Sequence, residues 1–165
     1  MILQEVVTMV KENRVVLHVK SIGENVALVR MVASGFLIPY DLTMEELDEI
    51  KIALSEAVTN CIIHGYEEQP DKELTVILEV KEQTLTIQVS DTGVGIENIA
   101  QAMLPAFSTR AEHMGLGFVF MQTFMDGVEV VSAPGEGTTV TMYKHLPYVE
   151  GEVCNTEVYS TEEIE

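Results

Sequence analysis

The longest regular pattern in the chain is a helical repeat of apolar residues over positions 44 to about 64. Thr43 stands just before it and Glu46 follows three residues later, which is the spacing of a capping box at a helix N-terminus. Gly65 is placed to end the helix. Because the apolar residues recur at the helical period, one face of this helix must be buried against another layer of the fold.

Strand-type patterns on both sides of this helix predict the sheet that it covers. They predict strands over residues 14–20, 74–80, 84–89, 128–132 and 138–146. Helical spacing predicts two further helices, over residues 24–36 and 118–125. Helices and strands do not follow a strict βαβ alternation. We therefore predict an α+β fold: a two-layer sandwich in which helices pack on one face of a mixed β-sheet.

The chain of 165 residues is long enough for one domain with a single core. We assign residues 1–147 to that domain and predict that the acidic residues 148–165, which lack periodicity, form a disordered tail. The N-terminus lacks a basic flank followed by an apolar stretch, so we expect no signal peptide. No run approaches the roughly 20 apolar residues of a membrane span, and we expect a cytoplasmic protein.

The charge of the chain restricts its partners. With 27 acidic and 9 basic residues, the formal net charge is −18. Such a field repels nucleic acid and anionic membranes, because phosphate binding needs clustered Lys and Arg. It attracts a basic protein instead. A nucleotide bound by this chain must be held through Mg²⁺, backbone N–H groups and helix N-termini.

Two polar segments are candidates for a binding site. Glu56 and Asn60 are four residues apart, so they lie on one face of the long helix, although such a pair alone is most often a solvated face. Asp91 ends a predicted strand and is followed by Gly93 and Gly95. A buried carboxylate there can accept a hydrogen bond from an exocyclic amine, and glycines let the backbone approach a ring or a phosphate. An ordinary turn is the alternative for this second segment.

Two glycine-containing segments follow later in the chain. Gly115 and Gly117 lie where a loop enters a helix, an arrangement that presents free N–H groups to phosphate. Thr138 follows a glycine in a weaker motif, which fits the start of a strand equally well. The chain has neither a P-loop lysine motif nor a dinucleotide fingerprint. The order and spacing of all four segments favour a nucleotide site more than any one of them does.

The same four segments resemble the motifs of the Bergerat-fold (GHKL) ATPases. The similar strings are S-E-A-V-T-N-C-I-I-H-G-Y (55–66, the N-box), D-T-G-V-G (91–95, the first glycine box), G-L-G-F (115–118, the second) and G-T-T (137–139, the closing motif). Within that superfamily, the chain resembles the bacterial anti-sigma factors that are also serine kinases, especially those of sporulation. The resemblance runs from about residue 14 to residue 146, which is most of the chain.

The resemblance implies a role for each matched residue. Glu56 would be the general base that takes the proton from an attacking serine, and Asn60 would ligate the Mg²⁺ of ATP. Asp91 would bind the adenine amine, with Thr138 beside it through water. The glycines that follow Asp91 would form the wall of the pocket: Gly93 and Gly95.

A lid over the phosphates is also implied, at residues 103–117. Its nucleotide-binding residues would be Ser108, Thr109, Arg110, His113, Gly115 and Gly117. The family lid usually contains an arginine shortly before its glycine box. Here His113 occupies that place and Arg110 lies nearby, so either side chain could stabilise the γ-phosphate. Arg30 matches a family arginine that contacts protein partners, although a solvated helix charge is the alternative.

These roles imply an anti-sigma factor that binds and inhibits a sporulation sigma factor. As an ATP-dependent protein serine kinase, it would also phosphorylate and inactivate an anti-anti-sigma factor. A homodimer formed through the N-terminal strand and helix is implied as well. Two alternatives stay open: a switch kinase of the general-stress type, and a nucleotide-gated binding module without efficient phosphate transfer.

Overall fold

The computed structural model describes residues 12–104 and 116–147, and these residues form one sheet with helices on one side. The strands are β1 (Asn13–Lys20), β2 (Glu73–Lys81), β3 (Thr84–Asp91), β4 (Gly127–Ala133) and β5 (Gly137–His145). The helices are α1 (Glu24–Leu37), α2 (Met44–Asn60), α3 (Ile99–Ala102) and α4 (Gly117–Phe124), and a π-helical turn (Cys61–Gly65) continues α2.

The sheet has the strand order β1-β2-β3-β5-β4. Every neighbouring pair is antiparallel, so the α+β prediction is confirmed but the prediction of a mixed sheet is wrong in this respect. The reason lies in the order: β3 and β4 run in the same direction, but β5 returns between them and separates them. In the same way, β2 separates β1 from β3.

The helices cover one face of the sheet, as predicted. In β3, Leu85, Ile87 and Val89 are fully buried beneath the helices, whereas the residues between them point to the other face and are half-buried. A period of two along a strand is what separates these faces. The sheet also turns tightly between β2 and β3, where Glu82 and Gln83 both have positive φ, as in a type I′ hairpin turn.

The predicted capping box begins α2. The Thr43 hydroxyl accepts a hydrogen bond from the Glu46 N–H at 3.1 Å, and the Glu46 carboxylate accepts one from the Thr43 N–H at 2.8 Å. The Thr43 N–H and the Thr43 hydroxyl both donate to the Glu46 carboxylate, and these bonds lower the pKa of Glu46, because they stabilise its charged form. The buried face of the helix consists of Ile50, Ala53, Leu54, Ala57 and Val58.

Other parts of the fold differ from the predictions or lie outside the described residues. The long helix is α-helical only to Asn60, and its last turn, Cys61–Gly65, is widened to a π-turn. The sequence patterns did not predict α3, because its four residues are too short to show a period. Most of the proposed lid (105–115), the acidic tail (148–165) and residues 1–11 lie outside the described ranges. Among the helices that are described, none has the length and apolar character needed to cross a membrane.

Candidate functional site

The α2 side of the site brings Glu56 and Asn60 together beside the start of α4. A Cβ placed on Gly117 would lie 3.0 Å from Glu56 Oε2 and 3.4 Å from Asn60 Nδ2. Both side chains are half-buried, and Gly117 is the first residue of α4. The N–H groups in the first turn of a helix have no partner within the helix, so they are available to an anion. The structure therefore places a carboxylate and an amide next to potential phosphate-binding N–H groups.

The opposite side of the site is built around Asp91, the last residue of β3. Its side chain is only 6% exposed, and its Oδ1 accepts a hydrogen bond from the Gly93 N–H at 2.8 Å. Burial raises the pKa of Asp91, while hydrogen bonds from the Gly93 N–H, the Cys61 thiol and the Thr138 N–H act in the opposite direction. Asp91 is thus a buried acceptor held in one orientation.

The π-turn joins these two sides. Asn60, at the end of α2, lies beside Gly117, and the next residue, Cys61, is buried with its thiol hydrogen-bonded to Asp91. Burial and the nearby charge of Asp91 raise the pKa of the Cys61 thiol well above its ordinary value. Gly65 closes the turn, and a Cβ there would lie 2.8 Å from the carboxyl carbon of Asp91. Extra turns of this kind are frequent at functional sites.

The glycines after Asp91 are required by backbone packing. A Cβ on Gly93 would overlap the carbonyl oxygen of Gly65. Gly95 has a φ of +72°, and a Cβ on it would overlap the carbonyl oxygen of Ala133. Between them, the Val94 N–H donates to the Gly65 oxygen at 3.0 Å. These residues, 91–95, are called the glycine loop below. The loop packs between the π-turn on one side and the hairpin that joins β4 to β5 on the other.

Two hydroxyl groups also hold the glycine loop in place. The sequence patterns did not single out either of them. The Tyr66 hydroxyl donates to the Glu73 carbonyl oxygen at 2.6 Å and accepts from the Thr92 N–H at 2.9 Å. On the other side, the Ser132 hydroxyl accepts from the Ile96 N–H at 2.8 Å. Tyr66 follows the N-box glycine, which is the one sequence signal that could have drawn attention to it. Ser132 has no such signal.

Thr138 lies directly opposite Asp91 in the pairing of β3 with β5. Its N–H favours the charged form of the Asp91 carboxylate, and its own side chain is half-buried. Gly137 has a φ of +83°, and a Cβ there would overlap the carbonyl oxygen of Asp91. The structure thus brings the G-T-T segment against the D-T-G-V-G segment, as the family resemblance implies.

Arg30 is on α1, and it links that helix to α2. Its Nη1 donates to the Ser55 hydroxyl at 3.3 Å, and Ser55 in turn donates to the Lys51 carbonyl oxygen at 2.6 Å. Ser55 immediately precedes Glu56 in α2. The half-buried Arg30 is therefore tied to the helix that presents Glu56.

Most of the proposed lid residues belong to the segment between residues 104 and 116. Ser108, Thr109, Arg110, His113 and Gly115 lie outside the described residues, so their roles stay predictions. Within residues 12–104 and 116–147, no group of three or more His, Cys, Asp or Glu side chains could hold a metal ion. A Mg²⁺ ion at Asn60 would take its other ligands from phosphates and water, which is how proteins commonly bind this ion. The amide beside the Cβ-free Gly117 fits such a site.

Comparison with known proteins agrees with this geometry. Residues 20–144 match the histidine kinase-like ATPase domain. The chain is 41% identical over 141 residues to the anti-sigma F factor of Clostridium acetobutylicum, an alignment that covers 84% of this chain and 98% of that protein. It is 46% identical over 136 residues to the anti-sigma F factor of Thermoanaerobacter sp. strain X514, covering 81% and 94%. The chain belongs to the anti-sigma F factor family. Because the matched domain of this family is an ATPase domain, ATP binding is implied.

Solved structures confirm the fold of this anti-sigma F factor family member. The RsbU and RsbW domains of Rv1364c from Mycobacterium tuberculosis match with a TM-score of 0.60 and 16% identity, over 81% of this chain and 32% of that one. The histidine kinase domain of the blue-light activated kinase EL346 from Erythrobacter litoralis matches with a TM-score of 0.53 and 18% identity, over 75% and 60%. At these identities, the likeness shows the fold alone.

Proposed function

We propose that this protein binds Mg-ATP and transfers its γ-phosphate to a serine of an anti-anti-sigma factor, which inactivates that partner. With ATP bound, it also binds and inhibits a sporulation sigma factor. One observation supports this most directly: Asn60, the last residue of α2, lies beside Gly117, and Gly65, at the end of the π-turn that follows, lies against the Asp91 carboxylate. A single nucleotide can therefore extend from Asp91 to the start of α4.

The base would lie against Asp91. A carboxylate that is buried and already fixed by the Gly93 N–H can accept a hydrogen bond from an exocyclic amine without reorganising. The glycine loop brings backbone to the pocket wall, where a side chain would fill the space needed for a flat ring. Adenine satisfies both conditions, because it is planar and its amine donates. Thr138, opposite Asp91, would contact the base through water.

The phosphates would lie at Gly117, between the first turn of α4 and the side chains of Glu56 and Asn60. Bound Mg²⁺ would be ligated by Asn60 and would neutralise phosphate charge. Glu56 would take the proton of the serine hydroxyl as the new oxygen–phosphorus bond forms and the bond to ADP breaks. Phosphoryl transfer depends mainly on such positioning and charge neutralisation. The lid residues Ser108, Thr109, Arg110, His113 and Gly115 would close over the γ-phosphate.

The surface suits a protein partner with a basic face. A net charge of −18 raises the rate of encounter with a basic sigma factor and opposes direct binding to nucleic acid or to an anionic membrane. We assign a partner-binding role to Arg30, which would act on the surface of α1. We also propose a homodimer formed through β1 and α1, and a cytoplasmic location, where a sigma factor works.

A phosphotransfer assay tests the proposal. Purified protein, Mg²⁺ and labelled ATP are mixed with the candidate anti-anti-sigma protein of the same genome, and labelled phosphoserine is measured. Glu56→Gln should lower transfer at least about 100-fold, the usual contribution of a general base, while ATP affinity is kept.

The matched control is Glu49→Gln. Glu49 is also half-buried on α2 and lies seven residues earlier on nearly the same face, roughly 10 Å from Glu56 along the helix axis. The Glu49→Gln variant should transfer phosphate at the wild-type rate. ATP binding by the wild type without any transfer would leave a nucleotide-gated binding module, and transfer only to a general-stress partner would indicate that type of switch kinase.

A further inference from the structure

Three polar residues form a row across the end of the sheet, on the face that the helices cover. Asp91 in β3 lies opposite Thr138 in β5, and Thr138 lies opposite Ser132 in β4. Directly paired residues of antiparallel strands project their side chains from the same face. The row therefore runs from the carboxylate that we propose to bind adenine to Ser132. The proposed function gives Ser132 no role in binding a ligand.

The hydrogen bonds of Ser132 fix the direction of its hydroxyl. The oxygen accepts from the Ile96 N–H at 2.8 Å and donates to the Gly137 carbonyl oxygen at 2.8 Å. A serine hydroxyl has one proton, and a carbonyl oxygen can only accept. The proton of Ser132 is therefore committed to Gly137.

The third contact of Ser132 then has only one possible direction. Its oxygen lies 2.9 Å from the hydroxyl oxygen of Thr138. Because Ser132 has no second proton, Thr138 must be the donor. The one hydroxyl proton of Thr138 is used in this bond, and its remaining lone pairs can only accept.

We infer that Ser132 is a specificity-determining positioning residue, which acts through Thr138 to make this end of the pocket an acceptor for hydrogen bonds. The inference rests on the proposed function, since it assumes that a purine lies against Asp91. The Asp91 carboxylate also accepts, so a ligand must present donors to both groups, directly or through water. A 6-amino purine does so. A 6-oxo purine has a carbonyl oxygen in place of the amine, and this oxygen would face two acceptors without a hydrogen bond, since its one added donor, N1–H, lies at a different position on the ring.

The molecule contains a matched pair on the opposite face of the sheet. Thr139 donates through its hydroxyl to the Ser90 hydroxyl at 3.0 Å, across the same two strands, β3 and β5, that hold Asp91 and Thr138. Ser90 and Ser132 are both half-buried strand residues in a serine–threonine pair. Because Ser90 points away from the helices, Ser90→Ala removes a comparable hydroxyl pair without touching the row at Asp91.

The test compares the dissociation constants of ATP and inosine triphosphate, which carries a 6-oxo group in place of the amine. Calorimetric titrations are made on the wild type, Ser132→Ala, the conservative Ser132→Thr, and Ser90→Ala. We expect the wild type to prefer ATP. In Ser132→Ala, the Thr138 proton becomes free to donate, and the preference should fall about tenfold, the equivalent of roughly one hydrogen bond. Ser132→Thr and Ser90→Ala should keep the wild-type ratio.

The same substitution made in a Thr138→Val variant shows whether Ser132 orients Thr138 or only supports the loop. In Thr138→Val, no hydroxyl is left to orient, so adding Ser132→Ala should not change the nucleotide ratio further. Equal weakening of both nucleotides by Ser132→Ala, or an unchanged ratio, would overturn the inference while leaving the proposed function intact. A wild-type protein that binds neither nucleotide would overturn the proposed function, and the inference with it.

Discussion

The two halves of the site are built by different means. Around Asp91, backbone packs against backbone: the glycine loop contacts the π-turn on one side and the β4–β5 hairpin on the other, with no space for an added Cβ. At Gly117, by contrast, the nearest described atoms that an added Cβ would meet are the tips of the Glu56 and Asn60 side chains, at 3.0 Å and beyond. The base-binding half is thus part of the folded framework, whereas the reaction half consists of side chains placed on it.

This difference predicts that substitutions in the two halves fail in different ways. A change in the glycine loop should alter stability and nucleotide binding together, since the same contacts serve both. A change at Glu56 should alter the reaction and leave the fold and the binding of ATP as they are. Preorganised acceptors at the base and adjustable groups at the phosphates fit a protein that holds its nucleotide before it meets a partner.

The largest effect is expected from Gly93→Ala. The new Cβ would overlap the Gly65 carbonyl oxygen, and backbone on both sides leaves it nowhere to move. We expect a loss of roughly 3 kcal/mol or more in the free energy of unfolding, together with loss of ATP binding. Thermal unfolding and calorimetric titration measure the two quantities.

Gly35→Ala is the matched control for this substitution. A Cβ on Gly35, within α1, would meet no atom within 4 Å among residues 12–104 and 116–147, apart from the backbone of its own helix and its chain neighbours. Because alanine favours the helix, this variant should be more stable by about 0.5–1 kcal/mol and should bind ATP normally. If Gly93→Ala and Gly35→Ala changed the free energy of unfolding and ATP binding by similar amounts, the glycine loop would not be a rigid wall of the pocket.

A smaller effect is expected from Tyr66→Phe. The hydroxyl is lost from a buried site, and the Thr92 N–H and the Glu73 carbonyl oxygen lose their partner. We expect a cost of about 1–3 kcal/mol in unfolding free energy and weaker ATP binding, because the glycine loop loses one anchor.

Tyr143→Phe provides the comparison for Tyr66→Phe. The Tyr143 hydroxyl donates to the exposed Glu129 carboxylate at 3.2 Å on the open face of the sheet. Its removal should change stability by less than about 0.5 kcal/mol. Equal costs for both tyrosine variants would contradict the role of Tyr66 as an anchor of the loop.

The pH dependence of binding gives the mildest test of the base-binding half. Burial raises the pKa of Asp91, so protonation of the folded protein begins at a higher pH than for an ordinary aspartate. As the pH falls through this raised pKa, Asp91 changes from acceptor to donor, and the ratio of ATP to inosine triphosphate affinity should decrease. Using the ratio cancels the titration of the phosphates, which the two nucleotides share.

The raised pKa of Asp91 also determines whether its contribution to the stability of the fold rises or falls with pH. Between the ordinary and the raised pKa, the folded state binds a proton that the unfolded state has released, so the contribution of Asp91 to stability declines as the pH rises through that window. Asp91→Asn should lack both pH effects. A nucleotide ratio that stays constant with pH in the wild type would count against Asp91 as the contact to the base.

Local sequence signals predicted much of this structure. The capping box at Thr43 and Glu46 and the apolar period of α2 act within a few residues of each other, so the sequence shows them directly. The family resemblance carried by Asp91, Gly93 and the later G-T-T segment implied that the fold brings these residues together, as it does. The family resemblance that rests on these motifs is confirmed by the relatives.

Non-local features were not predictable in this way. The antiparallel order of the sheet depends on β5 entering between β3 and β4, which no local pattern encodes. Tyr66 reaches Thr92 and Ser132 reaches Ile96 only because strand register and a π-turn bring distant segments together. The roles of Glu56 and Asn60 in the reaction stay proposals that rest on geometry and resemblance.

One pair of variants tests the central claim that binding and transfer reside in separate halves. ATP dissociation constants and phosphotransfer rates at saturating ATP are measured for Glu56→Gln and Asp91→Asn. We expect opposite results for the two variants. Glu56→Gln keeps ATP affinity within about twofold and loses transfer at least about 100-fold. Asp91→Asn binds ATP about 10- to 100-fold more weakly, the cost of a hydrogen bond to a charged group, but transfers phosphate near the wild-type rate once saturated. Parallel loss of binding and transfer in both variants would contradict the separation of the site into two halves.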